Sequence, residues 1–117
     1  MNGSKNLDQI LTEALGPLLP AGPVEYTGEE LEYIVWNYSQ IGAVYAEGRP
    51  AAARYLLQVH YFLPNGKNPN LMKVLIAQAL AAAGCTWPDV TNANEKSGQH
   101  YVLECEYTDG GLVYGYA

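Results

Sequence analysis

The chain has 117 residues, 49% hydrophobic and 15% charged, with a formal net charge of −6. This length fits one compact domain with a workable core and no need of disulfides, and an acidic chain with scattered Lys and Arg is not built to grip phosphates. No apolar run approaches the roughly 20 residues that span a bilayer; the best candidate, LMKVLIAQALAAAG, is interrupted by Lys73 and Gln78.

Leu7 to Leu18 carries the first expected helix. Leu7, Ile10, Leu11, Ala14, Leu15 and Leu18 follow the spacing of one buried stripe. Asn6 is placed to cap it, with Gln9 at the capping-box position, and GPLLPAGP ends it. One short strand is expected near Val24. LEYIVWNYS then reads as a strand with Ile34, Trp36 and Tyr38 on one face and Tyr33 and Val35 on the other. AVYAEGRPAAA reads as a connection through a Gly48–Arg49–Pro50 turn. A second strand runs from roughly Ala53 to Leu63 and pairs with the first as an antiparallel hairpin. Tyr55, Leu57, Val59 and Tyr61 form its core face; Arg54, Leu56, Gln58, His60 and Phe62 form a mixed one.

The second helix is expected in NGKNPNLMKVLIAQALAAAG, capped by Asn68, with Pro69 at the first helical position and Gly84 just past the end. Its buried stripe is Leu71, Met72, Leu75, Ile76, Ala79, Leu80 and Ala83. Two strands follow, CTWPDVTNA and QHYVLECEY. In the latter, Tyr101, Leu103, Cys105 and Tyr107 face the core, and His100, Val102, Glu104 and Glu106 face away. The expected fold is therefore α+β, in the order α-β-β-α-β-β. It is an antiparallel sheet of four to five strands with two helices on one face and the other face open. Residues 1–117 form one domain, with 108–117 a docking or flexible tail.

The search for chemistry yields little. His60, His100 and Glu104 lie on the open face, and two imidazoles with a carboxylate are a known metal-ligand set. Their sequence spacing matches no metal motif, and histidines on half-exposed strands are more often plain surface residues. Nucleophile elbow, phosphate loop and dinucleotide fingerprint are all missing from the sequence. GEELE, from Gly28 to Glu32, reads as a solvated turn before it reads as a cation site. Trp36 and Trp87 suit a core better than a ligand pocket. Cys85 and Cys105 lack CxxC spacing, so free thiols are expected, with Cys105 filling core. Low charge combined with ten tyrosines favours a surface used in association. Two functional classes remain: an assembly protein, and a small metal-binding or hydrolase domain built on His60, His100 and Glu104.

Four stretches, EYIVWNY, RYLLQVHYF with its following helix, AAAGCTWPDV and QHYVLECEY, resemble the tail terminator (tail completion) proteins of bacteriophages and prophages with long non-contractile tails. They cover most of Tyr26 to Tyr107. The resemblance implies a homo-oligomeric ring, usually of six subunits. Such a ring caps the tail tube, stops its polymerisation and meets the head-closure connector, while DNA passes through the lumen without specific binding. It implies a virion neck location after synthesis in the bacterial host cytoplasm, which agrees with an opening MNGSKNLDQ that lacks the apolar core of a signal peptide. It implies no catalytic residue, no cofactor, no metal and no membrane. Gln58, His60, Glu104 and Glu106 are then candidates for lumen lining or subunit contact. Head-closure proteins of the same neck share the size and charge, and the sequence does not separate the two roles.

Overall fold

A computed structural model describes residues 6–23, 31–46 and 48–109. In chain order these form α1 (Leu7–Leu15), β1 (Ala21–Pro23), β2 (Tyr33–Ala46), β3 (Arg49–Leu63), α2 (Asn70–Ala82), β4 (Asp89–Asn92) and β5 (Gln99–Asp109). The strands make one sheet in the order β1-β2-β3-β5-β4.

Local chemistry starts α1 as the sequence predicts. The Asn6 side chain accepts the Gln9 backbone N–H, and the Gln9 side chain accepts the Asn6 N–H, each at 2.9 Å. The helix ends at Leu15, one turn before the expected Leu18. Pro17 brings no N–H to continue the ladder, and the Leu18 and Leu19 N–H groups both fold back onto the Leu15 carbonyl. Leu18 and Leu19 still pack against the core from this turn, which is why the apolar periodicity overran the helix.

Two corrections concern the sheet. It is mixed, not purely antiparallel: β1 runs parallel to β2, pairing Ala21 with Ile34 and Pro23 with Trp36. The order is accordingly α-β-β-β-α-β-β. Hairpin logic fails for β1 because no tight turn joins it to its neighbour; the strand itself precedes Val24, which lies outside the described residues. The second correction is the length of the β2–β3 hairpin. Of the stretch expected to connect the strands, Ala43–Ala46 and Arg49–Ala53 are themselves strand, with Ala46 paired to Arg49 and Gly48 at φ +77°, a conformation glycine takes without steric cost. Register shifts between Gln40 and Gly42 and between Val44 and Tyr45 let the ribbon carry on through small residues that propensity alone reads as loop. β5 pairs with β3 only from Ala53 to Leu63, so the hairpin projects past it. The molecule measures 53 × 25 × 22 Å with a radius of gyration of 15.5 Å, against about 13 Å for a compact chain of this length.

Both helices cover one face. Leu7, Leu11 and Leu15 of α1 and Ile76, Ala77 and Leu80 of α2 bury against Ile34, Trp36, Leu57, Val59, Tyr61, Leu103 and Cys105, the core face that alternation predicts on every long strand. Trp36 is fully buried, and its indole N–H donates to Asp8 at 3.0 Å, tying β2 to α1. Gly84 at φ +102° closes α2: the Gly84 N–H reaches the Ala81 carbonyl and the Cys85 N–H the Leu80 carbonyl, the paired bonds of a glycine C-terminal cap. At the other end Pro69 holds the cap position itself, while Asn68 accepts the Asn70 N–H at 2.9 Å.

Other expectations about packing fail. Leu71 is 71% exposed, because α2 lies over the sheet by its Ile76–Leu80 side, with Met72 also packed against the core, and Leu71 projects from the other side of the helix. Trp87 is 61% exposed; the chain there runs from the helix cap to the sheet edge outside the helix layer. Thr108 and Asp109, assigned to the tail, belong to β5, paired with Arg54 and Ala53. The rest of that tail lies outside the described residues.

Candidate functional site

The face of the sheet away from the helices carries every candidate residue. Register sets their neighbours. Val35, His60 and Val102 form one row across β2, β3 and β5, and Asn37, Gln58, Glu104 and Asp89 form the next, reaching β4. Along and between these rows the polar side chains pair with each other. Gln58 donates to Glu104 at 3.0 Å, and Arg54 binds Glu106 at 2.7 Å. His60 Nδ1 lies 2.8 Å from His100 Nε2, while the other His60 nitrogen meets the Asn37 amide at 3.0 Å.

The two imidazoles therefore meet, and Glu104 does not join them. Their ring centres are 5.1 Å apart, the separation of a nearly straight N–H···N bond with each nitrogen a little over an ångström from its ring centre. That is an N–H···N hydrogen bond, with the lone pair of one ring accepting the hydrogen of the other. Burial lowers the pKa of both rings below the ordinary histidine value. The charge on His100 adds to the effect at His60, and Glu95 partly offsets it at His100. Among the described residues no group of three His, Cys, Asp or Glu side chains is placed to hold a metal ion.

An aromatic column continues from the histidines. Phe62 stacks on His100 at 4.2 Å and on Tyr33 at 4.9 Å. It floors an open groove of about 560 Å³ at the end of the sheet, whose rim includes Leu31, Asn65, Glu95 and Gln99. The Gln99 amide is spent on the Pro64 and Lys67 carbonyls, so the groove offers stacking surface and one rim carboxylate. Of the acidic GEELE stretch, Glu32 accepts from both Tyr61 and Lys67. Burial alone would raise its carboxyl, but those two partners outweigh it and hold the pKa below the ordinary value. Gly28, Glu29 and Glu30 lie outside the described residues.

The convergence of His60 and His100 that their shared face suggests is present without Glu104: the register sets Phe62 opposite His100 and leaves His60 one diagonal away, while Glu104 is held by Gln58. One pairing is not legible in the sequence: Cys105, expected to fill core, and Cys85 are both buried and free and lie near enough to shift each other's pKa. Hydrogen bonding between the two thiols lowers the Cys85 pKa and, together with burial, raises that of Cys105. Backbone pairing of Thr86 with Glu106 at 2.9 Å brings them side by side.

No protein-family model matches the chain, and no curated protein matches it in sequence.

Proposed function

We propose that the chain is a virion assembly subunit of the tail terminator kind. Copies close into a ring, usually of six, that caps the tail tube, stops its growth and joins it to the head-closure connector. The observation that carries this reading is the sheet face left without a helix, whose polar side chains are already paired with one another. Such a face is prearranged for contact or lining, while a reacting centre needs convergent groups around a free space. The sequence resemblance supports the same reading, since its stretches fall within the start of β2, β3, the end of α2 through β4, and β5.

DNA passage follows from charge. Glu104 and Glu106 face outward with Asp89 across from Glu104, and Arg54 offsets one of them. The remaining negative excess repels the phosphate backbone and leaves DNA free to slide. A ring of identical subunits needs a contact between two different surfaces that closes on itself, and a chain with few charges supplies it at low desolvation cost. The test is electron microscopy of the pure protein mixed with tail tubes and with tube protein still polymerising. Rings seated on one tube end, with growth arrested there, are expected. Tubes that grow unchecked and bare at both ends at every concentration contradict the reading.

A further inference from the structure

β2 carries an edge of an uncommon kind. On its outer side it meets β1 only from Ile34 to Trp36. Among the described residues no strand pairs with β2 on that side beyond Trp36. An exposed strand edge presents a row of unpaired N–H and C=O groups, and proteins usually guard it with charges, proline or brevity. Here Asn37 to Ala46 contains neither a charged residue nor a proline. The strand is long, and it exposes Ile41 at 44% and Tyr45 at 67%. Two bulges bend it without adding a charge.

We infer that the outer edge of β2, from Gln40 to Ala46, pairs with a strand of a second copy of this chain. The occupant follows from charge. Two chains of net charge −6 repel over most of their surfaces and approach at least cost where neither carries charge. Backbone pairing then supplies the attraction, as in strand addition to an open sheet. The sheet's other free edge is β4, four residues long and exposed throughout. In a ring it is the mate, so the sheet continues from copy to copy. The inference rests on the assembly reading only for that choice of mate.

Hydrogen exchange on the full chain, dilute and concentrated, tests this. The Ile34 N–H points outward to the Pro20 carbonyl at 2.9 Å, and alternation along the strand sends the Gln40 N–H the same way. Gln40→Pro thus removes an outward donor and no bond to β3, and Ile41→Lys adds the missing guard charge. The amides of Gln40 to Tyr45 are expected to exchange at least tenfold more slowly in the associated state. Either substitution should raise the concentration needed for association at least tenfold with the melting temperature unchanged. Rings whose β2 edge exchanges freely overturn the inference and keep the ring. A protected β2 edge in a dimer that never caps tubes keeps the inference and overturns the ring. Protection already present in dilute monomer means that the chain's own ends cover the edge, and overturns the inference alone. A chain that stays monomeric, with and without tubes, and whose edge exchanges freely overturns both.

Discussion

β3 shows two environments on one strand. Leu57, Val59 and Tyr61 are fully buried beneath the helices, while Gln58, His60 and Phe62, alternating with them, form the half-covered floor of the other face. The first set packs within the apolar core, and Tyr61 alone of the three donates to a carboxylate, that of Glu32. The second set is a chain of side-chain pairs: Gln58 with Glu104, His60 with His100, Phe62 with His100. A strand can therefore keep the contacts of its core face and those of its open face physically separate, because successive side chains never share a face.

The sharpest way to break the comparison is to cut both faces at neighbouring positions. Leu57→Ala removes a fully buried side chain from the core and is expected to cost about 2–5 kcal/mol by lost burial and the cavity left behind, read as a fall in the urea midpoint. Equal losses at Leu57 and Gln58 would mean that the open face is also core.

The histidine pair sits between these extremes. His60→Ala or His100→Ala alone is expected to cost about 1 kcal/mol, because one half-buried imidazole keeps its desolvation and loses its partner. The double variant should cost less than the sum of the two, with a coupling of about 0.5–1.5 kcal/mol in the thermodynamic cycle. Strict additivity would mean that the rings do not hydrogen-bond.

The same pair sets a pH dependence. Both folded-state pKa values lie below the ordinary 6.5. Between the folded and unfolded values the unfolded chain therefore binds more protons, and stability rises with pH. The melting temperature should fall as pH drops below about 6.5, and His60→Ala with His100→Ala should flatten that slope. Glu32, held below its ordinary 4.5, loses its contribution only as pH falls through and below that value, so a slope near pH 6 belongs to the histidines. The smallest effect is expected at Gln58→Ala. It breaks one hydrogen bond at a half-exposed site and should cost about 0.5 kcal/mol.

Much of this face division was legible in the sequence, because strand alternation is a rule of period two that local composition reveals. The Asn6–Gln9 box was legible for the same reason: its partners are three residues apart. What the sequence hid depends on register or on the path of the chain. β1 pairs with a strand it does not adjoin through a turn. Ala43–Ala46 and Arg49–Ala53 look like part of a loop until cross-strand pairing holds them extended. Trp87 is aromatic and still exposed, since hydrophobicity predicts burial only where a layer exists to cover the residue. Alternation puts His60 and His100 on one face but only the register makes them touch, and no periodicity reveals the nearness of Cys85 to Cys105.

The claim that the open face lines a path for DNA is tested most directly by reversing its charge. Glu104→Lys with Glu106→Lys turns the excess positive beside Arg54 and, with the pair near Arg54 more than a third exposed on both sides, should cost under about 1 kcal/mol. In assembled particles the wild type is expected to show no DNA retention at moderate salt. The double variant is expected to retain DNA with an affinity that falls steeply as salt rises, the signature of counterion release. Tight DNA binding by the wild type, or a double variant that assembles normally and binds no DNA at any salt, would contradict it.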